Sequence, residues 1–348
     1  MRKADRKDVL KKRIVIQSIV FLTAILIFLA VALWMNFSRG STAYVEKDEF
    51  VFGTLVRVVV SSEKRDPKAI ADAMIQEMKR LESKFHPYHD GNSVIFKLNH
   101  ATGPVTVDEE TAFLISKSLY YSEITAGAFD PALGRLIKLW GFDSPDTKKR
   151  VPTSEEIAKA LESSGYANVE IHSKEVSLKN HAWLDLGGIA KGYAVDQAVR
   201  LAKKIDENAT GFVDAGGDIA IIGPKFGQFP WKIGIRDPRG GPQDIIGVVY
   251  LSEGAIATSG DYERYFEVDG VRYHHIFDSK TGYPARKSIS ATVIAEKLVD
   301  ADALSTAAFV LGWSKIVEGF VGLGAQAMVI DAEGKIYKTK GFVAYEKE

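Results

Sequence analysis

The longest hydrophobic stretch of this sequence lies near its start: residues 14–37 are apolar apart from Gln17, Ser18, Thr23 and Asn36. As a helix, such a run reaches roughly 30 Å or more, enough to cross the hydrocarbon core of a bilayer. Ala30-Val31-Ala32 has the small-residue character of a signal-peptide cleavage site. Leu33, Trp34, Met35 and Phe37 carry the run beyond it, which favours a retained anchor. Past a polar linker over residues 38–44, the apolar positions become shorter and periodic. Residues 50–61, with Val51, Val56, Val58, Val59 and Val60, read as a strand. Residues 66–85 place Ile70, Met74, Met78 and Leu81 at helical spacing. Residues 106–123, 154–164, 189–204 and 301–311 also read as helices, and residues 86–92 as a loop rich in Pro, Asp, Gly and Asn.

Strand patterns recur at residues 169–178, 212–222, 231–236, 247–251, 325–330 and 335–338, and two short strands flank the turn Asp269-Gly270. Helices and strands are interspersed without strict alternation or repeat, which predicts an α+β domain over residues 45–348.

Charge changes the picture only at one end. The 348 residues hold 45 Lys plus Arg against 45 Asp plus Glu, so nothing in the balance suggests nucleic acid. Arg2, Lys3, Arg6, Lys7, Lys11, Lys12 and Arg13, however, crowd the tail before the apolar run. That asymmetry predicts a cytoplasmic tail over residues 1–13, an anchor over 14–37 and a folded domain facing outward. The chain has no cysteine, which excludes disulfides, thiolate metal sites and cysteine nucleophiles.

Five clusters could carry chemistry, each with a plain structural reading beside it. Asp185-Leu186-Gly187-Gly188-Ile189-Ala190-Lys191 precedes a helix; its glycines and free amides suit a phosphate, or form a simple turn. Asp214-Ala215-Gly216-Gly217-Asp218 is a close backbone approach or a bulge. On a helix, Asp302 and Thr306 share a face, so they could present two oxygens to a hard cation; otherwise Asp300 or Asp302 caps the helix. His274-His275 on a strand would face opposite ways, which argues against a paired zinc site. Gly127-Ala128-Phe129-Asp130-Pro131 is a turn, or an aromatic ring beside a carboxylate for a planar heterocycle.

Taken together, these clusters resemble the ApbE family of FAD:protein FMN transferases. The likeness rests on Phe52-Gly53-Thr54, the Gly127–131 and Asp185–196 segments, Gly216-Gly217-Asp218, Thr258-Ser259-Gly260-Asp261-Tyr262, His275-Ile276-Phe277-Asp278 with Thr281-Gly282-Tyr283-Pro284, and Ala301-Asp302-Ala303-Leu304-Ser305-Thr306, in the family's order. The resemblance implies one α+β, T-fold-related catalytic domain with FAD as substrate and Mg2+ beside it. Phe52, Phe85, Ala128, Phe129, Asp130, Asp185, Lys191 and His275 would contact FAD, with Phe85 at the family's adenine-covering aromatic position. Asp302, Thr306 and the carbonyl of Gly188 would hold the metal. Phe52 stands where relatives often have Met, and Ser279 where they often have Pro. Lipidated cysteine anchors known in relatives are replaced here by the apolar run.

The implied reaction moves FMN to a Ser or Thr hydroxyl of an acceptor protein and releases AMP, with His275 or Asp302 as the candidate base. The alternatives are an FAD pyrophosphatase and a non-catalytic FAD-binding module.

Overall fold

The computed structural model describes Thr23, residues 43–88 and residues 91–347. Apart from Thr23, the anchor expected over residues 14–37 lies outside the described residues. No helix among the described residues is long and apolar enough to cross a membrane. The chain divides into Met1–Ala43 and Tyr44–Glu348, and the second unit carries all the elements that follow.

They begin with β1 (Val45–Val51), β2 (Thr54–Ser61), α1 (Pro67–Phe85), α2 (Val94–His100), β3 (Val105–Thr106), α3 (Glu109–Ile124), α4 (Gly134–Leu139) and α5 (Ser154–Glu162). Next come β4 (Val169–His172), β5 (Glu175–Leu178), α6 (Ala190–Ile205), β6 (Thr210–Ala215), β7 (Asp218–Gly223), β8 (Trp231–Arg236) and β9 (Ile245–Leu251). The rest are β10 (Ala255–Gly260), β11 (Tyr265–Val268), β12 (Val271–His274), β13 (Ser288–Ala295), α7 (Leu298–Leu311), α8 (Lys315–Glu318), β14 (Gln326–Asp331) and β15 (Ile336–Lys338).

Eight strands form one sheet in the order β1-β2-β6-β7-β10-β13-β14-β15, antiparallel throughout. Helices α1, α6 and α7 cover one face and share its main core with Val58, Val213, Ala257 and Val293. The β8–β9 hairpin covers the other through Ile235, Val249 and Leu251, which pack on Ile221, Ile256 and Ile294. A smaller cluster around Trp140, Phe142, Leu136 and Phe277 joins α4 and α5 to the loop after β12.

The element starts follow local chemistry. Asp66 accepts the Lys68 N–H and Pro67 opens α1, so an otherwise unmatched donor is met and φ is pre-set. Thr153 and Glu156 close a capping box on α5. The single strand expected over residues 50–61 is instead the end of β1, a two-residue turn and β2. Phe52 and Gly53 take φ of 54° and 68°, the left-handed pair whose twist suits a tight hairpin. Residues 169–178 likewise fold back as β4 and β5. Both strand segments alternate through their turns, so periodicity alone hides the reversal.

Candidate active site

Motifs far apart in sequence meet at the end of the sheet that holds the Phe52-Gly53 and Gly216-Gly217 turns. Thr54 packs so closely on Gly216 that a Cβ there would lie 2.2 Å from its hydroxyl, and the Gly216 N–H donates to the Leu55 carbonyl at 3.1 Å. Glycine, at φ 68°, is thus required twice over. The same turn sets Asp218 beside the helix start, where it forms an ion pair with Lys191. The second oxygen of Asp218 accepts the Thr258 N–H at 3.0 Å, which links β7 to β10.

Helices α6 and α7 meet behind this turn. Gly192 in the first turn of α6 donates its N–H to the Asp302 carboxylate at 2.9 Å. A Cβ on Gly192 would come within 2.6 Å of the Leu298 carbonyl, so only glycine permits this approach. Asp302 is 5% exposed; burial pushes its carboxyl up, while Lys191 and the Gly192 N–H pull it down. Lys297, not Asp300 or Asp302, stands at the N-cap of α7, and neither acid caps its own helix. Asp300 instead accepts from the Tyr121 hydroxyl and pairs with Lys117, both at 2.6 Å.

Thr306 lies one turn beyond Asp302. A Cβ on Gly188 would sit 3.4 Å from the Thr306 hydroxyl and 3.2 Å from the Phe129 ring, so these three residues converge. Ser259 adds a hydroxyl 2.9 Å from Ser305 and 3.3 Å from Thr306. The donors are one carboxylate, several hydroxyls and a glycine backbone. That set fits a hard cation that completes its shell with water and substrate phosphate. Among the described residues no group of three or more His, Cys, Asp or Glu could hold a metal, so a histidine-rich transition-metal site has no counterpart there.

The aromatic side of the site is assembled from two loops. Ala126 and Gly127 leave α3 with φ of 53° and 78°, and the Asp185 N–H reaches the Pro131 carbonyl at 2.7 Å. Phe129 is 3% exposed, with its ring 6.4 Å from Tyr121, and Ala128 is buried beside it. Both Asp130 oxygens serve the chain itself, accepting from Ala132 N at 2.8 Å and Tyr166 N at 3.0 Å. Burial pushes its carboxyl up to about 6. Asp130 therefore shapes the Phe129 loop through its backbone bonds.

Asp185 accepts the Gly187 N–H at 2.7 Å and the Tyr88 hydroxyl at 2.6 Å. Phe85 points elsewhere: it is 3% exposed and its ring lies 6.2 Å from Tyr193 in the core. The aromatic residue that reaches Asp185 is Tyr88, three positions later. Sequence reasoning passed it over, although Pro87-Tyr88 in a loop gives a hint. Phe52 sits at the tip of the first hairpin and donates its N–H to Glu82 at 2.5 Å.

The paired histidines have opposite tasks. His274 is 2% exposed; its Nδ1 accepts from Ile276 N at 3.3 Å, so Nε2 carries the proton and donates to the Ala285 carbonyl at 2.8 Å. Burial pushes it down to about 4. His275 has the other tautomer: Nδ1–H donates to the Arg264 carbonyl at 3.2 Å, leaving Nε2 as an acceptor. Packing around the ring and then the Arg264 charge push it down to about 3, although one edge reaches the surface. Arg264, also missed in the sequence, donates to the Phe142 carbonyl and acts electrostatically on both His275 and Tyr88. Burial, then Asp185, raises the Tyr88 hydroxyl well above its usual range.

Comparison with known proteins decides the family. The profile of the ApbE family matches residues 52–328.

The chain belongs to the ApbE family.

It is 36% identical over 335 residues to an FAD:protein FMN transferase of Treponema pallidum, covering 88% of this chain and 89% of that protein. An FAD:protein FMN transferase of Haemophilus influenzae is 33% identical over 253 residues, covering 69% of this chain and 72% of its own length. The crystal structure of an ApbE protein from Thermotoga maritima superposes with a TM-score of 0.85 at 52% identity, covering 88% of this chain and all of that one (100%). The flavin transferase ApbE from Vibrio cholerae gives 0.77 at 26% identity, with 87% and 99% covered. The mixed helix–sheet ApbE fold is thus shared across most of the described chain.

Proposed function

We propose that this protein transfers FMN from FAD to a serine or threonine hydroxyl of an acceptor protein and releases AMP. It is an FAD:protein FMN transferase, as are the relatives from Treponema pallidum and Haemophilus influenzae. The observation that carries the finer reading is the convergence of Phe129, Gly188 and Thr306 beside the buried Asp302. A planar ring and a cluster of hard oxygen donors are the two surfaces that a flavin diphosphate needs.

Asp302, Thr306 and the Gly188 carbonyl would hold Mg2+, which would offset charge on the phosphoryl oxygens. The chain's own groups supply the rest. Lys191 brings positive charge to the helix start, where phosphate is favoured. Asp185 and Tyr88 form a polar pair beside the Phe129 loop and orient the substrate. In the chemical step the acceptor oxygen bonds to the FMN-side phosphorus, and the bond from that phosphorus to the bridging oxygen breaks. AMP leaves with that oxygen. The hydroxyl proton goes to His275 Nε2, the lone pair that the Arg264 contact leaves available.

We assign the apolar run of residues 14–37 as a membrane anchor that holds this domain on the extracytoplasmic side. The deciding experiment mixes the detergent-solubilised chain with FAD, Mg2+ and a candidate extracytoplasmic redox protein, then weighs the acceptor intact. A gain of one FMN that chelation abolishes supports the transfer. Free FMN and AMP with an unchanged acceptor would replace it with hydrolysis.

A further inference from the structure

The opposite end of the sheet carries two features that flavin chemistry does not use. The first is aromatic. Tyr44, where the folded unit begins, lies with its hydroxyl 3.0 Å from that of Thr210 and accepts the Phe226 N–H at 2.8 Å. Its ring stands 5.5 Å from Phe226 and 5.4 Å from Trp231. The loop between β7 and β8 closes on itself through two backbone bonds between Lys225 and Phe229, at 2.7 and 2.9 Å. It presents Phe226 and Phe229 to the outside at 53% and 58% exposure. Phe226 takes φ 53°, a conformation that bulky residues avoid, to do so.

The second feature is basic. A cavity of about 460 Å³ is lined by Lys64, Arg65, Lys203 and Lys204 together with Asp206 and Glu207. It adjoins the aromatic loop. Ser61 pairs with Thr210 across β2 and β6, and the Ser62 hydroxyl donates to Asp206 at 2.6 Å. Lys203 donates to the Ala209 carbonyl at 3.0 Å, next to Gly223, whose own carbonyl accepts the Trp231 indole N–H at 2.9 Å.

We propose that this end of the domain docks on the lipid surface. Phe226 and Phe229 enter the headgroup region, and Lys64, Arg65, Lys204 and Lys225 face anionic lipid phosphates. Exposed aromatic rings with flanking lysines are the side chains that bilayer interfaces favour. The chain itself selects lipid as the occupant: only residues 38–43 separate Phe37, the last of the apolar run, from Tyr44, a reach of about 25 Å at most. The inference rests on the anchor reading of residues 14–37.

The natural absence of cysteine makes the test direct. The full chain, as Phe229→Cys or as Lys315→Cys at a 93% exposed side chain, is labelled with an environment-sensitive fluorophore. Each is reconstituted in phosphatidylcholine vesicles with and without phosphatidylglycerol. Quenching by lipids spin-labelled near the headgroup should be several-fold stronger at position 229 than at 315. Lys64→Glu with Lys204→Glu should weaken it in the anionic vesicles. Equal, weak quenching at both positions in a chain that resists alkaline carbonate extraction would overturn the docking and leave the anchor standing. A chain that carbonate strips off would overturn both. A blue-shifted but unquenched probe at 229 would mean that a second copy covers the loop, and would also sink the proposal.

Discussion

Asp196 on α6 accepts the backbone N–H groups of Leu298 and Val299 at the start of α7, each at 2.9 Å. Asp302 on α7 accepts the Gly192 N–H at the start of α6. Neither helix is capped by a side chain of its own N-cap residue, so each relies on a carboxylate carried by the other. The two motifs Asp185–196 and Ala301–306 are therefore one mechanical unit.

Replacing Asp196 by Ala should cost about 1–2 kcal/mol of stability, as loss of a helix cap does. Asp196→Asn keeps an acceptor and should recover much of it. Urea unfolding of both variants checks this. Equal losses would mean that packing around the site matters more than the cap.

Gly192→Ala should be more harmful than its size suggests. The added methyl meets the Leu298 carbonyl at 2.6 Å, and backbone cannot rotate away. About 1–3 kcal/mol is expected from the forced shift, with loss of metal-dependent turnover as α7 moves. Thermal unfolding and Mn2+ binding by electron paramagnetic resonance read the two effects separately.

His274 makes a prediction about acid. Its folded value is pushed down to about 4 from an ordinary 6.5, so the unfolded chain binds the proton more readily between those values. Its contribution is complete above about 6.5 and is lost as pH falls towards 4. The stability gap between wild type and His274→Gln should therefore narrow as pH drops through that window. A constant gap would show that His274 contributes by shape alone. The measurement must be a difference, because Asp130, raised to about 6, acts with opposite sign: its share is present at low pH and lost as pH rises through 6.

His275 should respond to substrate. Without ligand it is held neutral far below its usual range, and the negative pyrophosphate of FAD should raise it. Titrating the imidazole carbon signal by NMR, with and without FAD, should show an upward move. His275→Ala should lower turnover by roughly 10²–10⁴-fold while FAD still binds. Unimpaired transfer would remove it from the proton path.

Tyr88→Phe should weaken FAD binding by about tenfold, the effect of one lost hydrogen bond to a charged group, through release of Asp185. Phe85→Leu should instead lower stability and leave affinity nearly intact, since Phe85 packs against Tyr193. Fluorescence titration of FAD with each variant separates the two.

Much of this was legible in the sequence. Helix α1 has regular apolar spacing and a capped start, and the Asp269-Gly270 turn carries its glycine openly. Strand β13 was missed because all eight residues are buried on both faces and half are Ser or Ala, so no alternation marks it. Helix α2 was missed because it is only seven residues long, with its cap Ser93 inside a loop-like stretch. At the site, Asp302 and Thr306 could be paired by helical spacing. Their meeting with Gly188 followed from the family resemblance and not from spacing, and the approach of the Phe129 ring to the same point depends on which loops the fold brings together. Tyr88 escaped for the same reason: only the folded chain carries it back to Asp185.

Helix α6 opens just past the glycine turn of the active site and runs for 16 residues, with Lys203 and Lys204 in its last turn. Its rise is about 24 Å. If the Tyr44 end rests on lipid as proposed, that helix would work as a height gauge, and one standing upright would lift the reaction well clear of the headgroups. An acceptor would then be selected by elevation as well as by motif: a hydroxyl lying at the bilayer surface is out of range, and one carried on a domain standing about as tall is within it.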